Sequence, residues 1–244
     1  MEGPSLVILK EELGRFRGMR VTHASGLSKI DYSNIEGRSI KNFKSWGKHF
    51  LIEFAKSFSI RIHFLMFGSY RVNERKETEP RLRLTFENGE EINFYTTAVS
   101  IIDEPLNDRY NWTADVMNKE WDPAKARKKL KSLHDLNVSD ALLDQNIFSG
   151  VGKIIKNEVL YRIHIHPESI VGALPPRKLT EMISEARQYS FDFYEWKKEF
   201  ALKKHWLIFT KRKCRRCDLP AFKEYIGKTQ RRTFFCTNCQ KLYK

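Results

Sequence analysis

The chain has 244 residues and a formal net charge of +14, with 44 Lys and Arg against 30 Asp and Glu. This length is sufficient for a sizeable core and for two or three modest domains, which excludes a peptide-like module. The positive charge favours a polyanionic partner, above all nucleic acid, because each neutralised phosphate releases condensed counterions. The alternative at this stage is a basic protein without such a partner.

No stretch of the sequence predicts a membrane span or a signal peptide. The longest apolar run, residues 60–67, contains Arg61 and His63 and is much shorter than the roughly 18 residues that a span needs. The first five residues lack a basic start and a long apolar stretch. We therefore expect an intracellular protein in a reducing compartment, cytoplasmic and DNA-associated if bacterial, and not a secreted one.

Residues 1–118 predict a β-rich domain with one preceding helix. Apolar positions recur at helical spacing over residues 6–16. Short alternating or aromatic runs follow, separated by turn signals such as Asn88-Gly89. We interpret this half as an antiparallel sandwich or barrel. The runs that we expect to be strands are residues 50–54, 59–64, 81–86 and 91–95.

From Asp122-Pro123 onward the pattern becomes helical. We take residues 119–208 as a helical domain and residues 209–244 as a separate C-terminal domain, so the fold class is α+β and multidomain. The basic run at 125–131 is interpreted as a solvated helix face, with a binding site as the alternative. The predicted helices are residues 125–131, 140–148, 153–162 and 178–200.

A Gly150-Val151-Gly152 turn leads directly into the predicted helix that starts at Lys153. Glycines at such a turn let the backbone approach a ligand closely, and the free N–H groups with the helix dipole form a phosphate seat. A plain tight turn is the alternative.

All four cysteines lie beyond residue 213, in two CxxC pairs that are 18 residues apart. The pairs are Cys214-Arg215-Arg216-Cys217 and Cys236-Thr237-Asn238-Cys239. This spacing predicts a zinc ribbon with one structural ion, since four thiolates leave no open coordination position. Two disulfides, in one of three pairings, are the alternative. Residues 211–244 carry eleven Lys or Arg against two acids, which again favours a polyanion.

Four segments together resemble the formamidopyrimidine-DNA glycosylase and endonuclease VIII family, whose members are base-excision repair enzymes. The segments are Glu2-Gly3-Pro4, Gly47-Lys48, the run 143–167 with Gly150, Gly152 and Asn157, and Arg231-Arg232-Thr233 ahead of Cys236. The resemblance covers essentially the whole chain. It implies an N-terminal β-sandwich, a helix-two-turn-helix domain and a C-terminal zinc ribbon, with DNA in the cleft between them.

The resemblance also implies a bifunctional enzyme that acts on damaged DNA as a monomer, with no organic cofactor and no membrane partner. It would be a DNA glycosylase and an abasic-site lyase that uses the N-terminal amine as its nucleophile. An α-amino group has a pKa of about 7.7–8.0, so a useful fraction is neutral near pH 7, unlike a lysine with a pKa of about 10.4.

The sequence departs from the family at the nucleophile. Met1 occupies the register of the usual proline, and Glu2 follows it directly. We expect the primary amine of Met1 to be retained and to form the Schiff base, more slowly than proline because its imine must first be protonated. The alternatives are an inactive site and a proline missing from the sequence.

By resemblance, Glu2 acts as the acid that assists loss of the base and opening of the sugar ring. Lys48 grips the phosphate beside the lesion and donates a proton during β-elimination. Arg231, with Arg232 as its neighbour, clamps the phosphate next to the flipped nucleotide. Lys153 stands where the family has asparagine, and it would meet the same phosphate as a point charge. Asn157 completes the predicted DNA-binding set.

Met66 is the predicted side chain that fills the gap left by a flipped base, with Leu65 and Phe67 as rivals and a core methionine as the alternative. Residues 95–102 lack the Arg and Phe of the purine-directed branch, and residues 200–214 are too short for its base-capping loop. We therefore expect an endonuclease VIII-like enzyme for oxidised pyrimidines and abasic sites. His164 and His166 are interpreted as structural rather than metal ligands.

Two other functions stay open on sequence grounds. One is a binder of damaged or branched DNA that keeps the architecture but has lost the amine chemistry. The other is a zinc-ribbon transcription or RNA factor, which explains the C-terminal segment but neither Glu2-Gly3-Pro4 nor Gly47-Lys48.

Overall fold

The computed structural model describes residues 1–244, which form two compact units. The first unit comprises Met1 and Ser5–Asn111, and the second comprises Glu2–Pro4 and Trp112–Lys244. The compact units divide near residue 111, whereas the sequence suggested a first domain ending at 118; that three-domain scheme stays a prediction. None of the helices is both long enough and apolar enough to cross a bilayer.

The first unit contains one antiparallel sheet of six strands in the order β1-β5-β6-β4-β3-β2. The sheet is β-sandwich-like and surrounds one apolar core, which confirms the predicted architecture. Two of the strands, β1 and β2, were not among the predicted ones. The strands are β1 Val21–Ser25, β2 Ile40–Trp46, β3 His49–Phe54, β4 Ser59–Val72, β5 Leu82–Phe86 and β6 Glu91–Ile102.

Strand β5 shows how the pattern produces the core. Leu82, Leu84 and Phe86 are buried while the residues between them are partly exposed, as a two-residue period requires. Helix α1, Gly3–Glu12, continues into a 3₁₀ turn at Leu13–Phe16. The structure has the helix that the spacing of residues 6–16 predicted. The apolar residues of this segment are buried in the same core. They are Leu6, Leu9, Leu13 and Phe16.

The second unit is mainly helical. After the short helix α2, Leu106–Arg109, in the first unit, the order is α3, α4, α5, α6 and then a β7–β8 hairpin. Asp122 caps α3 by accepting from the N–H groups of Ala124 and Lys125. The helices share a second apolar core. Their bounds are α3 Pro123–Ser132, α4 Val138–Leu143, α5 Lys153–Arg162 and α6 Pro176–Lys198, with β7 Phe222–Ile226 and β8 Arg231–Phe235.

Helix α5 has the bounds that the sequence predicted, but α4 does not. The predicted helix 140–148 ends at Leu143, because Asp144 leaves the helix and its carbonyl and carboxylate accept from the next residues in a turn. The turns continue to Gly152, which is the N-cap of α5. This arrangement of α4, turns and α5 agrees with the predicted helix-two-turn-helix domain in its order of elements.

Candidate functional site

Lys48 lies at a two-residue hairpin turn between β2 and β3. Trp46 and His49 pair across the turn, and Gly47 has a φ of 53°, in the left-handed region that favours glycine. The glycine next to Lys48 is therefore required by the turn that holds the lysine.

His63 lies beside Lys48 and was not predicted as a site residue. Its Nδ1 is 3.1 Å from the carbonyl oxygen of Lys48. Burial lowers the pKa of His63, and the positive charges of the N-terminal amine, Lys48 and Arg61 lower it further, against the opposing effect of the Lys48 carbonyl. The amine of Met1, Lys48 and His63 are thus within electrostatic reach of one another. The available sequence signal was a histidine in each of two neighbouring strands.

The second of these histidines, His49, forms an aromatic wall next to Lys48. Its ring centroid is 5.4 Å from that of His63 and 5.6 Å from that of Trp46. Burial lowers the pKa of His49 to about 4, with further contributions from Arg61, His63 and Arg109. His49 is therefore neutral near pH 7.

Met1 is exposed and lines a cavity of about 390 Å³ in the first unit. The polar groups of this cavity are carboxylates, one guanidinium and hydroxyls. The hydroxyl of Tyr70 donates to the carboxylate of Glu12 at 2.5 Å. The other lining residues are Ser69, Arg71, Val72 and Glu74.

Three consecutive apolar side chains project from β4 into solvent. Leu65, Met66 and Phe67 are 47%, 71% and 87% exposed. The β4–β6 register shifts between Phe64 and Ser69, and Phe67 has a φ of 70°, so the strand bulges at this point. A core role for Met66 is excluded. Exposed contiguous apolar surface is typical of an interaction site, and insertion into DNA stays a prediction.

In the second unit, the carboxylate of Glu2 is bound to the N-terminus of α5. It accepts from the N–H of Ile154 at 2.8 Å and from that of Ile155 at 3.3 Å. A Cβ at Gly152 would collide with this carboxyl group, and the N–H of Gly3 donates to the carbonyl of Gly150 at 2.9 Å. The helix N-terminus therefore already holds an anion, in agreement with its dipole.

This finding changes the interpretation of the glycine turn. Two of the N–H groups at the start of α5, which were predicted to bind a phosphate, donate to the carboxylate of Glu2 instead. The absence of a side chain at Gly152 is explained by the close approach of Glu2. Lys153 is exposed at the start of the helix. Contacts of Gly150, Gly152 and Lys153 with DNA stay predictions.

Three consecutive polar residues of α5 are fully buried, which the sequence pattern did not predict. Lys156 donates to the Oγ1 of Thr233 at 2.5 Å, and the Oδ1 of Asn157 accepts from the N–H of Phe234 at 2.6 Å. The carboxylate of Glu158 accepts from three backbone N–H groups at residues 207–209. Helix α5 therefore anchors the C-terminal segment. Asn157 uses both ends of its amide within the protein, and its predicted contact with DNA stays a prediction.

Arg231 and Arg232 are exposed and begin β8 directly after the β7–β8 turn. The turn is fixed by Asp140 of α4, whose carboxylate accepts from the backbone N–H groups of Lys228 and Thr229. The hydroxyl of Thr233 donates to the carbonyl of Arg231 at 2.8 Å. Arg231 thus combines an exposed guanidinium with a fixed backbone, as an anion clamp requires.

The four cysteines converge, as predicted for a metal site. Their Sγ atoms all lie within 4.8 Å of one another, with 3.7 Å from Cys214 to Cys239 and 3.6 Å from Cys217 to Cys236. Zn–S bonds of about 2.3 Å in a tetrahedron place sulfurs about 3.8 Å apart, so the four thiolates are suitably close together to hold one Zn²⁺. The hydroxyl of Tyr161 lies 3.1 Å from the Sγ of Cys214 and supplies an outer partner.

The two histidines of the run 143–167 are outside this cluster. His166 is buried with its ring centroid 4.6 Å from that of Phe235, and the Nδ1 of His164 is 3.0 Å from the carbonyl of Cys239. Both positions fit the structural interpretation.

Comparison with known proteins agrees with this geometry. The formamidopyrimidine-DNA glycosylase N-terminal domain profile matches residues 10–97, and the H2TH domain profile of the same enzymes matches residues 113–189. A structure of Lactococcus lactis formamidopyrimidine DNA glycosylase, non-covalently bound to DNA with an abasic site, has a TM-score of 0.86 at 20% identity. It covers 99% of this chain, and this chain covers all of it, which shows a common fold.

Sequence relatives point to one branch. The chain is 29% identical to endonuclease 8-like 3 of Xenopus laevis over 238 residues, covering 89% of this chain and 37% of the relative. It is 30% identical to endonuclease 8-like 2 of Mus musculus over 196 residues, covering 74% of this chain and 57% of the relative. The chain therefore spans only about a third to just over half of the length of these relatives.

The β-sandwich-like sheet, the helix-two-turn-helix arrangement and the four-cysteine hairpin define a fold class that includes the formamidopyrimidine DNA glycosylase structure named above. Within that class, the chain belongs to the formamidopyrimidine-DNA glycosylase and endonuclease VIII family, in its endonuclease VIII-like branch.

Proposed function

We propose that this chain is a base-excision repair enzyme that removes an oxidised base and then cuts the strand at the abasic sugar. The observation that carries the proposal is the fixed carboxylate of Glu2, which follows the N-terminal amine directly and is held by two backbone N–H groups of α5. These two hydrogen bonds fix an acid in the residue that is covalently next to the N-terminal amine, where proton transfer to and from the reacting groups needs a positioned carboxylate. Family membership supports the same activity.

In the proposed reaction, the neutral amine of Met1 attacks C1′ of the damaged nucleotide. The new N–C1′ bond displaces the base, which leaves with the bonding electrons and takes a proton from water. The carboxylate of Glu2 accepts a proton from the amine and passes it to O4′ as the C1′–O4′ bond breaks. The product is a protonated imine, which makes the hydrogens on C2′ acidic. Loss of a C2′ proton to water then forms the C2′–C3′ double bond as the C3′–O bond breaks and the 3′ phosphate leaves with the bonding electrons.

Lys48 and Arg231 are assigned to the phosphates in this proposal. Lys48 lies on a rigid hairpin turn within electrostatic reach of the N-terminal amine, and the positive neighbours lower the pKa of His63. Arg231 is exposed after a turn that Asp140 fixes. Arg231 suits a bidentate phosphate contact because its guanidinium is planar. Arg232, Lys153 and the Gly150–Gly152 turn would add further contacts to the DNA backbone, with Asn157 positioning β8.

We assign the lesion class to oxidised pyrimidines and abasic sites. The sequence relatives named above are endonuclease 8-like proteins. Residues 95–102, in and around β6, contain neither Arg nor Phe, and only a short segment separates α6 from Cys214. Met66, with Phe67 beside it, would fill the space left by the flipped nucleotide.

The proposed cofactor is one structural Zn²⁺, held by Cys214, Cys217, Cys236 and Cys239. With four thiolate ligands the ion stabilises the hairpin and supplies no activated water. The enzyme would act on damaged DNA as a monomer, inside the cell, without an organic cofactor. A Cys236→Ser variant should retain less zinc and bind DNA more weakly.

The test compares excision from duplexes that contain one thymine glycol, one 8-oxoguanine or one abasic site. We expect the wild-type chain to act on thymine glycol and on the abasic site in preference to 8-oxoguanine. The variant Glu2→Gln should lose base excision by about 10²–10⁴-fold while it still binds abasic DNA, since it lacks the proton-transferring carboxylate. Glu77→Gln, an exposed loop position, is the matched control and should keep full activity.

Two results would contradict the proposal. If Glu2→Gln excised the base as fast as the wild-type chain, the proposed proton transfer by the Glu2 carboxylate would be wrong. Tight binding to abasic DNA without any excision or strand cleavage by the wild-type chain would instead support the alternative function, a binder of damaged DNA.

A further inference from the structure

Lys156 is a lysine without solvent contact in the middle of α5. Its side chain is 0% exposed, and its Nζ donates to a neutral hydroxyl, that of Thr233, at 2.5 Å. Lysine is almost never fully buried unless it is paired, because its charge loses hydration. A methionine or leucine would fill the same space at lower cost, so the amine calls for an explanation.

Charged groups face Lys156 from each of the neighbouring segments. Asp140 of α4 and Glu2 of the N-terminal segment favour its charged form, whereas Arg231 of β8 opposes it. Burial is the largest effect and lowers the pKa of Lys156 to about 8. Two of the three charged neighbours, Glu2 and Arg231, are residues to which the proposed function assigns the chemistry.

The hydrogen bonds from Lys156 lead to Arg231. The Nζ donates to the Oγ1 of Thr233, and this hydroxyl in turn donates to the carbonyl of Arg231 at 2.8 Å. The next residue on α5, Asn157, accepts from the N–H of Phe234 in the same strand. The first turn of α5 meanwhile holds the carboxylate of Glu2. Helix α5 therefore holds the carboxylate of Glu2 at its first turn and, through Thr233, the backbone of Arg231 at its middle.

The direction of this relay depends on the proton of Lys156. A protonated amine has three donors and no acceptor, so the Thr233 hydroxyl must accept from Lys156 and use its own hydrogen for Arg231. A neutral amine has a lone pair and can accept that hydrogen instead. Loss of one proton thus permits the hydroxyl to turn away from the Arg231 carbonyl.

We propose that Lys156 is a positioning residue, which as a buried cation balances Glu2 and Asp140 and fixes the backbone of Arg231 through Thr233. The role in the reaction rests on the proposed function, whereas the buried charge and the relay do not. The structure therefore offers two separate tests, one on folding and one on activity.

The folding test measures the free energy of unfolding from pH 7 to pH 10.5 for the wild-type chain, Lys156→Met and the control Lys131→Met. Lys131 is an exposed lysine of α3. The folded-state pKa of about 8 lies below the ordinary value of 10.5, so the unfolded state binds more protons between them and stability should rise with pH in this window. Lys156→Met should lack this increment, and Lys131→Met should keep it. If the free energy of unfolding had the same pH dependence in all three chains, the proposal that Lys156 is a buried cation would be wrong.

The activity test measures strand cleavage and binding of abasic-site DNA for Lys156→Met, Thr233→Val, Arg231→Ala and the two double variants with Arg231→Ala. We expect Lys156→Met and Thr233→Val to reduce the cleavage rate about tenfold with unchanged zinc content. In the double variants, each change should reduce the cleavage rate little below that of Arg231→Ala alone, since the effects of residues that act through one group are not additive. In the wild-type chain, the cleavage rate should also decline above about pH 8, and Lys156→Met should lose that limb.

Fully additive losses in the double variants, or a wild-type pH profile in Lys156→Met, would overturn the positioning role. Failure of the proposed function gives a different result, namely no cleavage by the wild-type chain at any pH. In that case the folding test and the binding constants of the same variants still decide whether Lys156 acts on Arg231.

Discussion

At the scale of single residues, the clearest contrast is between side chains whose polar groups are fully engaged and side chains that are left exposed. Glu158 is buried and accepts from three N–H groups, whereas Met66 and Phe67 expose apolar surface that contributes nothing visible to the core. Exposed apolar groups cost solubility unless a partner covers them. We therefore predict that these two residues serve binding rather than stability.

This contrast predicts the effect of Met66→Ala. Because Met66 is 71% exposed, its truncation should leave the melting temperature unchanged. Excision of thymine glycol from duplex DNA should fall about tenfold, since an unfilled gap makes base flipping less favourable by roughly 1–2 kcal/mol. Differential scanning fluorimetry and single-turnover excision measure the two effects.

Leu27→Ala is the matched control, because Leu27 is also an exposed apolar residue of the first unit. It should change neither quantity. A loss of stability in Met66→Ala, or equal excision by Met66→Ala and the control, would contradict the assignment of Met66 to DNA.

At the scale of elements, local patterns predicted conformation better than they predicted partners. The helical spacing in residues 6–16 identified α1, because burial of its apolar side leaves a period in the sequence. The bounds predicted for α5 were also right, although α5 is buried on all sides in its middle turns. The turn at Gly150–Gly152 was recognised, but its N–H groups bind Glu2, which lies 152 residues away from Ile154. No local signal in the sequence links Glu2 to this turn.

The buried polar run of α5 makes the same point. Lys156 and Asn157 bond to residues 77 positions away, and Glu158 bonds to residues about 50 positions away. In the sequence, these three residues look like a solvated helix face. Only the packing of β8 and residues 207–209 against α5 makes them structural.

The β7–β8 turn predicts a specific effect of Gly227→Ala. Gly227 has a φ of 76°, and a Cβ there would collide with the carboxylate of Asp140 that holds the turn. The change should destabilise the hairpin by roughly 1–3 kcal/mol and accelerate zinc release. Zinc release to a chromogenic chelator, followed over time, measures this effect.

Gly89→Ala separates the two causes, since Gly89 has a similar φ of 83° but open space around its Cα. It should be destabilising by about 1 kcal/mol or less through backbone strain alone, without effect on zinc. Equal zinc release from both variants would contradict the anchoring of the ribbon by Asp140.

At the scale of the whole molecule, charge decides how the chain meets its substrate. The net charge is +14, and residues 211–244 alone contribute eleven Lys or Arg against two acids. Affinity for DNA should therefore depend steeply on salt, with each phosphate contact adding about 0.9 to the slope of log K against log salt concentration. Composition was sufficient to predict a polyanionic partner, but not which arginine meets which phosphate.

The slope gives a direct prediction for Arg231→Ala. Loss of one phosphate contact should reduce the salt slope by about 1 and weaken binding to every duplex by a similar factor. Lys131→Ala, at an exposed position of α3, should leave the slope unchanged. Fluorescence anisotropy between about 50 and 200 mM salt covers the useful range. An unchanged slope for Arg231→Ala would show that its guanidinium does not bind phosphate.

The central claim is that the amine of Met1 is the nucleophile, and borohydride trapping tests it most directly. The chain is incubated with abasic-site DNA and sodium borohydride, and the covalent adduct is digested and mapped by mass spectrometry. A version with Gly-Ser inserted between an initiating Met and Met1 serves as the control, since it moves the free amine away. We predict an adduct on the peptide that starts with Met1 and a strong loss of adduct in the extended chain. An adduct on an internal lysine, or no adduct at a DNA concentration that saturates binding, would contradict the account.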